Sequence, residues 1–204
     1  MSAPLVLASA PLVLASESPR RLALLAQAGV IPDAVLPAAI DESVRKAEQP
    51  RVHALRLATE KARKIESEWN GKPAFILAAD TVVAVGRRIL PKAADDAEVR
   101  ACLKLLSGRR HQVITAVALI TPNDSKGGSK LRTRTAMTRV SLLRLSPAEI
   151  EAYVESREGV GKAGGYAIQG RAEMLVKEIS GSYSNVVGLP LALTVALLKG
   201  AGHG

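Results

Sequence analysis

The sequence contains one cysteine, Cys102, and three histidines in 204 residues. A single cysteine cannot form an internal disulfide, and so few cysteines and histidines exclude a Cys/His metal cluster. A chain without disulfides is typical of a reducing compartment, so we expect a cytoplasmic protein. Cys102 falls on a predicted helix and is expected in the core.

Aromatic residues make up only 2% of the chain, so the core must be built from leucine, valine, isoleucine and alanine. Proteins that bind single-stranded nucleic acid usually stack bases on aromatic rings, and this scarcity counts against that class. Long hydrophobic runs are also lacking, since the stretch Leu189–Leu198 is far too short to span a bilayer. We expect no membrane association.

The N-terminal region contains a heptapeptide repeat: residues 3–9 and 10–16 both read Ala-Pro-Leu-Val-Leu-Ala-Ser. No lysine or arginine precedes the first copy and a proline interrupts each copy, which argues against a signal peptide. Only the second copy runs into Glu17-Ser18-Pro19-Arg20-Arg21. We therefore predict that residues 1–10 are an N-terminal extension and that residues 11–200 form a single α/β domain of two lobes.

The formal net charge of the chain is +9. Such an excess suggests an anionic partner: nucleic acid, acidic lipid or a phosphorylated small molecule. The alternative is a basic surface that merely keeps the protein solvated. The positions of the cations therefore matter more than their number.

Strands and helices alternate along the chain without a linker or low-complexity tract, which predicts one α/β unit. Short apolar runs at 12–15 and 75–79 are typical of buried strands. A long helix is predicted over residues 50–69. Its apolar stripe comprises Val52, Leu55, Ala58, Ala62, Ile65 and Trp69. Arg56 falls on the solvated far face, whereas Lys61 falls on the shoulder, from which its ammonium can point into a cleft.

The first strand is followed at once by a helix start that carries two arginines. Ser18 is the predicted N-cap and Pro19 the first helical residue, so Arg20 and Arg21 occupy the first turn. The helix dipole favours acidic residues there. The arginines therefore indicate an anion held between their guanidinium groups and the exposed backbone N–H groups, with a plain surface pair as the alternative.

Two carboxylates follow apolar runs: Asp80 comes after 75–79, and Glu42 comes soon after 38–40. In α/β sheets the ligand crevice lies beyond the carboxyl ends of the strands. Carboxylates placed there are natural ligands for Mg²⁺, which usually bridges to phosphate. A turn capped by Asp80 and Thr81 is an equally weighted alternative.

Lys61 and Lys92 add two point charges that suit a polyphosphate, although Lys92 alone also fits a surface position. Gln169 carries an amide that can read a base edge or simply bond its own loop. The glycines between 161 and 170 match neither the Walker nor the Rossmann pattern, and are expected to let backbone approach a ligand. No G-x-S-x-G elbow occurs, which disfavours a serine hydrolase.

Seven motifs in order make residues 11 to 200 resemble the Maf family. They are LASESPRR at 14–21, DE at 41–42, ATEKA at 58–62, AADTVV at 78–83, PK at 91–92, GYAIQG at 165–170 and GSYSNVVGLP at 181–190. The resemblance implies a nucleoside triphosphate pyrophosphatase that cuts between the α- and β-phosphates. It also implies an α/β fold like that of the inosine triphosphate pyrophosphatases: an elongated, twisted mixed sheet flanked by helices, with two lobes around an active-site cleft.

The resemblance further implies a role for each matching residue. Asp80 matches the proton acceptor and, with Glu42, the position that holds a divalent metal such as Mg²⁺, Mn²⁺ or Co²⁺. The phosphate-binding positions are matched by Ser16, Arg20, Arg21, Lys61 and Lys92. The positions tied to base selection are matched by Arg20, Thr81 and Gln169.

Lys92 and the Ile168-Gln169-Gly170 pattern resemble the branch of the family that acts on dTTP and UTP. One departure is Pro91-Lys92-Ala93, where the family usually has Gly-Lys-Pro, so the lysine is kept in a different backbone setting. A homodimer with a nucleoside triphosphate substrate is the implied assembly. The competing hypothesis is a non-catalytic regulator of cell division that binds nucleotides or nucleic acid through its positive charge.

Overall fold

The computed structural model describes residues 10–70, 72–122 and 129–203. Within these residues a seven-stranded mixed sheet forms the centre of the protein. Its strands are β1 (Leu12–Ala15), β2 (Ala34–Leu36), β3 (Phe75–Val85), β4 (Arg88–Leu90), β5 (Arg110–Thr121), β6 (Lys130–Leu142) and β7 (Val176–Ser180). The order is β2-β1-β3-β5-β6-β7, and β4 pairs with β3. β1 runs parallel to β2 and β3, whereas the other pairs are antiparallel.

Helices flank the sheet, which confirms the predicted mixed α/β class. They are α1 (Pro19–Gln27), α2 (Pro50–Glu68), α3 (Asp96–Leu106), α4 (Pro147–Glu155), α5 (Tyr183–Val187) and α6 (Leu191–Lys199). Proline stands in the first turn of α1, α2 and α4, where its missing N–H costs no hydrogen bond. None of the helices within the described ranges is long and apolar enough to cross a membrane. The predicted division into two lobes remains a prediction, and residues 1–9 of the predicted extension lie outside the described residues.

Alternation along the strands divides the core into two layers. Leu12 and Leu14 face the larger layer, which is rich in leucine and is completed by α1, α3, α4 and α6. Val13 and Ala15 face the smaller layer under α2. There the fully buried alanines of the helix meet alanines of β3 and β5, and such small side chains let α2 lie close to the sheet.

The buried face of α2 differs from the predicted stripe. Val52 is 55% exposed, whereas Leu57 and Lys61 are buried. The helix turns its alanine positions, not Val52, toward the sheet, and this rotation carries Lys61 from the predicted shoulder into the interior. Lys61 is tolerated there because it meets two carboxylates.

The two candidate acids do not stand at strand ends as predicted. Asp80 lies in the middle of β3, which continues to Val85 because β5 pairs with it along most of its length, opposing Ala116 to Asp80. β1 pairs with β3 only as far as Ala78. Asp80 is therefore beyond the carboxyl end of β1, although not of its own strand. Glu42 lies in an irregular segment after β2.

Candidate active site

A cleft with a volume of about 530 Å³ opens at the carboxyl end of β1. All nine residues that the sequence singled out line it: Ser16, Arg20, Arg21, Glu42, Lys61, Asp80, Thr81, Lys92 and Gln169. They come from α1, α2 and β3, from the turn between β1 and α1, and from the segments before α2, after β4 and before residue 170. The structure thus brings together side chains that lie up to 153 positions apart in the sequence.

The turn from β1 into α1 fixes the first wall of the cleft. The Ser16 backbone N–H donates to the Leu14 carbonyl at 3.1 Å, and the Ser16 hydroxyl accepts from the Ser18 backbone N–H at 3.2 Å. That hydroxyl also accepts from Arg21 Nη1 at 3.1 Å. Ser16 is buried. It therefore connects the strand end to Arg21, five residues later.

The Arg21 side chain is fixed by hydrogen bonds to the protein. Its Nε donates to the Gly188 carbonyl at 2.9 Å, and its Nη2 donates to Thr81 Oγ1 at 3.3 Å. Burial lowers the pKa of Arg21 below its ordinary value, while attraction to Asp80 and Glu42 opposes that shift. The guanidinium therefore supplies a positive charge held in one position.

Arg20 has more freedom than its neighbour. Among the described residues it donates only from Nε, to the Val187 carbonyl at 3.4 Å. Burial lowers the pKa of Arg20 too. Its terminal amino groups are thus left for a ligand in the cleft, where a planar fork suits phosphate oxygens or a base carbonyl.

Lys61 holds the two candidate carboxylates together in the same cleft. Its Nζ lies 2.6 Å from Asp80 Oδ1 and 2.6 Å from Glu42 Oε1. Lys92 Nζ contacts the second carboxylate oxygen of Glu42. Lys61 and Asp80 are buried, whereas Lys92 is exposed at the rim. Two acids and two cations therefore form one ion network across four segments of the chain.

Glu42 remains ionised in this network. Burial by itself raises the pKa of this carboxyl, but hydrogen bonds from Lys61 and Lys92 and their positive charges outweigh it and lower the pKa to about 2. At neutral pH Glu42 is thus a carboxylate with two neighbouring ammonium groups.

The carboxylate pair fits a Mg²⁺ ion better than a metal that needs a full protein shell. Across the part of the chain that the structure describes, no three His, Cys, Asp or Glu side chains cluster as a metal site. Mg²⁺ is commonly bound by one or two carboxylates, with water and substrate phosphates completing its shell. Glu42 and Asp80, both in contact with one ammonium nitrogen, provide such an incomplete oxygen set.

A family profile described as Maf-like protein matches residues 11–201. The chain belongs to this family. A protein of Mesorhizobium japonicum named dTTP/UTP pyrophosphatase is 57% identical over 195 residues, covering 94% of this chain and 91% of its own. One of Caulobacter vibrioides with the same name is also 57% identical, over 94% of this chain and 96% of its own. The solved Staphylococcus aureus Ham1 protein aligns at a TM-score of 0.47 with 15% identity, covering 93% of this chain and 98% of its own.

Behind the arginines, this Maf protein has a polar network that single-residue reasoning missed. The Thr81 hydroxyl lies 3.0 Å from that of Thr115, which donates to the Asn185 carbonyl at 3.0 Å. The Asn185 amide in turn donates to the Val113 carbonyl and to Thr138 Oγ1, both at 3.0 Å. This network ties α5 to β5 and so holds the Gly188 carbonyl against Arg21. Its signal in the sequence was the group of polar residues Ser182, Ser184 and Asn185 within the motif at 181–190.

Lys162 is a cleft residue that sequence reasoning missed. Residues 91–93 pair with 161–164 as a short bridge, with Lys92 opposite Ala163. This pairing brings Lys162 to the same cleft as Lys92. Burial, together with the neighbouring charge of Arg20, lowers the pKa of Lys162. The signal was present as a lysine within a glycine-rich segment.

Two of the glycines near Lys162 pack against the protein's own core. Gly164 has φ +69°, and a Cβ there would lie 2.8 Å from Val83. Gly165 has the same φ, and its Cβ would lie 3.0 Å from Cys102 Cβ. Gly164 and Gly165 thus let the backbone approach the protein's own core, whereas Gly161 lines the cleft. Gln169 follows at the exposed rim of the cleft.

Proposed function

We propose that this Maf protein hydrolyses dTTP and UTP to the nucleoside monophosphate and pyrophosphate. The observation that carries the proposal is the Glu42–Lys61–Asp80 ion network, which lines the same cleft as the arginines of α1. The two curated relatives are named for this activity and cover nearly the whole chain. A protein that only bound nucleic acid would not need buried carboxylates at the centre of its basic cleft.

In the proposed reaction, water attacks the α-phosphorus and its proton passes to the Asp80 carboxylate. The bond between the α-phosphorus and the oxygen that bridges to the β-phosphorus breaks, and pyrophosphate leaves with the electron pair. Glu42 and Asp80 would hold a divalent ion such as Mg²⁺, Mn²⁺ or Co²⁺, which neutralises phosphate charge and polarises the reacting phosphoryl group. Lys61 keeps both carboxylates in place for this step.

The cations of the cleft stabilise the negative charge that builds up on the leaving group. Arg20, Lys92 and the fixed Arg21 lie where preorganised positive charge favours the transition state over the ground state. Ser16 contributes a hydroxyl on the phosphate side. For base selection we propose Arg20 and Gln169, with Thr81 acting through the Arg21 guanidinium that it accepts from.

The test is a panel of canonical and modified triphosphates with Mg²⁺, scored for pyrophosphate and for free phosphate. We expect pyrophosphate from dTTP and UTP at rates well above those for ATP, GTP and 7-methyl-GTP. Release of free phosphate without pyrophosphate would contradict the proposed cleavage site. Equal rates for all bases would contradict the proposed selectivity alone.

We further propose that the enzyme acts in the cytoplasm as a homodimer. The lack of disulfides and the family resemblance support this assignment. Sedimentation at micromolar concentration and cell fractionation test the two parts separately.

A further inference from the structure

Arg56 lies outside the cleft on α2, and its charge is not solvated as the sequence predicted. Its side chain is 11% exposed and that of Glu48 is 5% exposed. Arg56 donates to Glu48 in a bidentate fashion, from Nε to Oε1 at 2.7 Å and from Nη2 to Oε2 at 2.9 Å. It also donates from Nη1 to Glu60 Oε2 at 3.1 Å. This is the fork geometry in which arginine holds a carboxylate most firmly.

The same guanidinium reaches the segment that carries Glu42. Arg56 Nη2 donates to the backbone carbonyl of Ser43 at 2.9 Å, one residue after Glu42. Glu48 closes the other end of the segment, because its Oε2 accepts from the Arg45 backbone N–H at 3.0 Å. His53 Nδ1 lies 2.8 Å from the same oxygen. Residues 43–48 are thereby fastened to the first turns of α2.

Glu42 needs such an anchor because no strand or helix sets its position. Its carboxylate meets Lys61 of α2, while the carbonyl of the next residue meets Arg56 of the same helix. The two basic residues are five positions apart on one rigid element, so they fix the side chain and the following backbone of Glu42 together. Loss of the Arg56 contact would release the Ser43 carbonyl, and the Glu42 carboxylate would then depend on its contacts with Lys61 and Lys92.

We propose that Arg56, held by Glu48, is a positioning residue that presents Glu42 to the metal and the substrate phosphates. This inference rests on the proposed pyrophosphatase function. A buried ion pair adds little net stability compared with apolar side chains of similar volume. We therefore assign the Arg56–Glu48 pair a role in the geometry of the neighbouring site. Groups that orient a metal ligand typically change metal affinity or activity about 10- to 100-fold when they are removed.

The experiment combines Arg56→Gln with Glu42→Gln in a double-mutant cycle on kcat/KM for dTTP. We expect Arg56→Gln to lower kcat/KM about tenfold or more in the wild-type background. In the Glu42→Gln background the same change should alter kcat/KM by less than about twofold, because the carboxylate that Arg56 positions is no longer present. Arg63→Gln is the matched control, since Arg63 forms an exposed ion pair with Glu66 on the same helix and, within the described ranges, does not line the cleft.

A second readout does not depend on turnover. Mn²⁺ binding in the presence of α,β-imido-dUTP, followed by the electron paramagnetic resonance of free Mn²⁺, should weaken about tenfold in Arg56→Gln and stay unchanged in Arg63→Gln. Arg56→Lys, which keeps the charge but loses the fork, should resemble Arg56→Gln. It also replaces Arg56→Gln in the cycle if that variant does not fold, as judged by thermal unfolding.

The outcomes separate the two proposals. Wild-type protein that releases no pyrophosphate from any triphosphate would overturn the proposed function. An active wild type with equal effects of Arg56→Gln in both backgrounds, or with unchanged Mn²⁺ binding, would overturn the positioning role and leave the function standing.

Discussion

Asp80 shows how one residue can be buried, charged and central to the cleft at once. Its carboxylate is 4% exposed and meets Lys61 at 2.6 Å, in the middle of a strand with apolar neighbours. We predict that Asp80→Asn lowers kcat about 10²- to 10⁴-fold, because an amide keeps the shape but cannot accept the proton from water. Pyrophosphate release with Mg²⁺ measures this, and thermal unfolding checks the fold. Asp96→Asn, outside the cleft, is the control; a variant at position 80 with most of its activity would refute the role.

Lys162 is the residue whose place in the cleft only the structure revealed. Its ammonium is half-buried beside Arg20, and its polar contact with the chain is the Val160 carbonyl at 3.4 Å. We predict that Lys162→Ala raises KM for dTTP about tenfold, since a charge-assisted hydrogen bond to phosphate would be lost. Lys64→Ala removes an exposed lysine of α2 and should leave KM unchanged. Equal KM values for the two variants would show that Lys162 does not contact substrate.

At the scale of elements, we expect only the second copy of the repeated N-terminal heptapeptide to contribute to activity. The second copy contains β1, and its last residue, Ser16, accepts a hydrogen bond from Arg21. We predict that deletion of residues 2–9 leaves the rate of pyrophosphate release within about twofold of wild type. Ser16→Ala should lower kcat/KM about tenfold, because a hydroxyl that bonds a charged group typically contributes about 1.5 kcal/mol or more. A large loss of activity in the deletion variant would assign a function to the first copy.

The local sequence pattern was sufficient to predict most helices and strands. It failed where contacts with residues distant in the sequence determine the structure. Apolar runs and the Ser18-Pro19 start predicted β1 and α1 correctly. β3 was predicted too short, because the polar pair at 80–81 looks like a strand end until β5 is laid against it. The helical pattern of α2 likewise could not show that Arg56 meets a carboxylate eight residues earlier.

The candidate site was predictable as a set of residues but not as an arrangement. Motif order was enough to gather the nine side chains, since they fall in six of the short signatures. It could not show that Arg21 is bonded to the Gly188 carbonyl while Arg20 keeps its amino groups for a ligand. Such differences between adjacent arginines arise from packing of α5 against α1, which links residues about 167 positions apart.

At the scale of the whole molecule, the buried His111 makes the stability depend on pH. His111 lies in β5, 1% exposed, with Nε2 2.7 Å from Tyr166 Oη, and burial lowers its pKa from 6.5 to about 4. The folded protein thus keeps the ring neutral, whereas the unfolded chain takes up a proton near pH 6.5. Stability therefore falls as pH drops from about 6.5 to about 4, by at most about 1.4 kcal/mol per pH unit.

We predict that His111→Gln, which keeps a polar partner for Tyr166, flattens this dependence. Urea midpoints between pH 7 and 4.5 should decline less steeply in the variant than in the wild type, whatever the offset between them at pH 7. Glu42 does not obscure the comparison. Its pKa is lowered to about 2, so its contribution is fully present above its ordinary pKa of 4.5 and is lost only below that pH. Parallel curves for the two proteins would show that His111 is not the group that titrates.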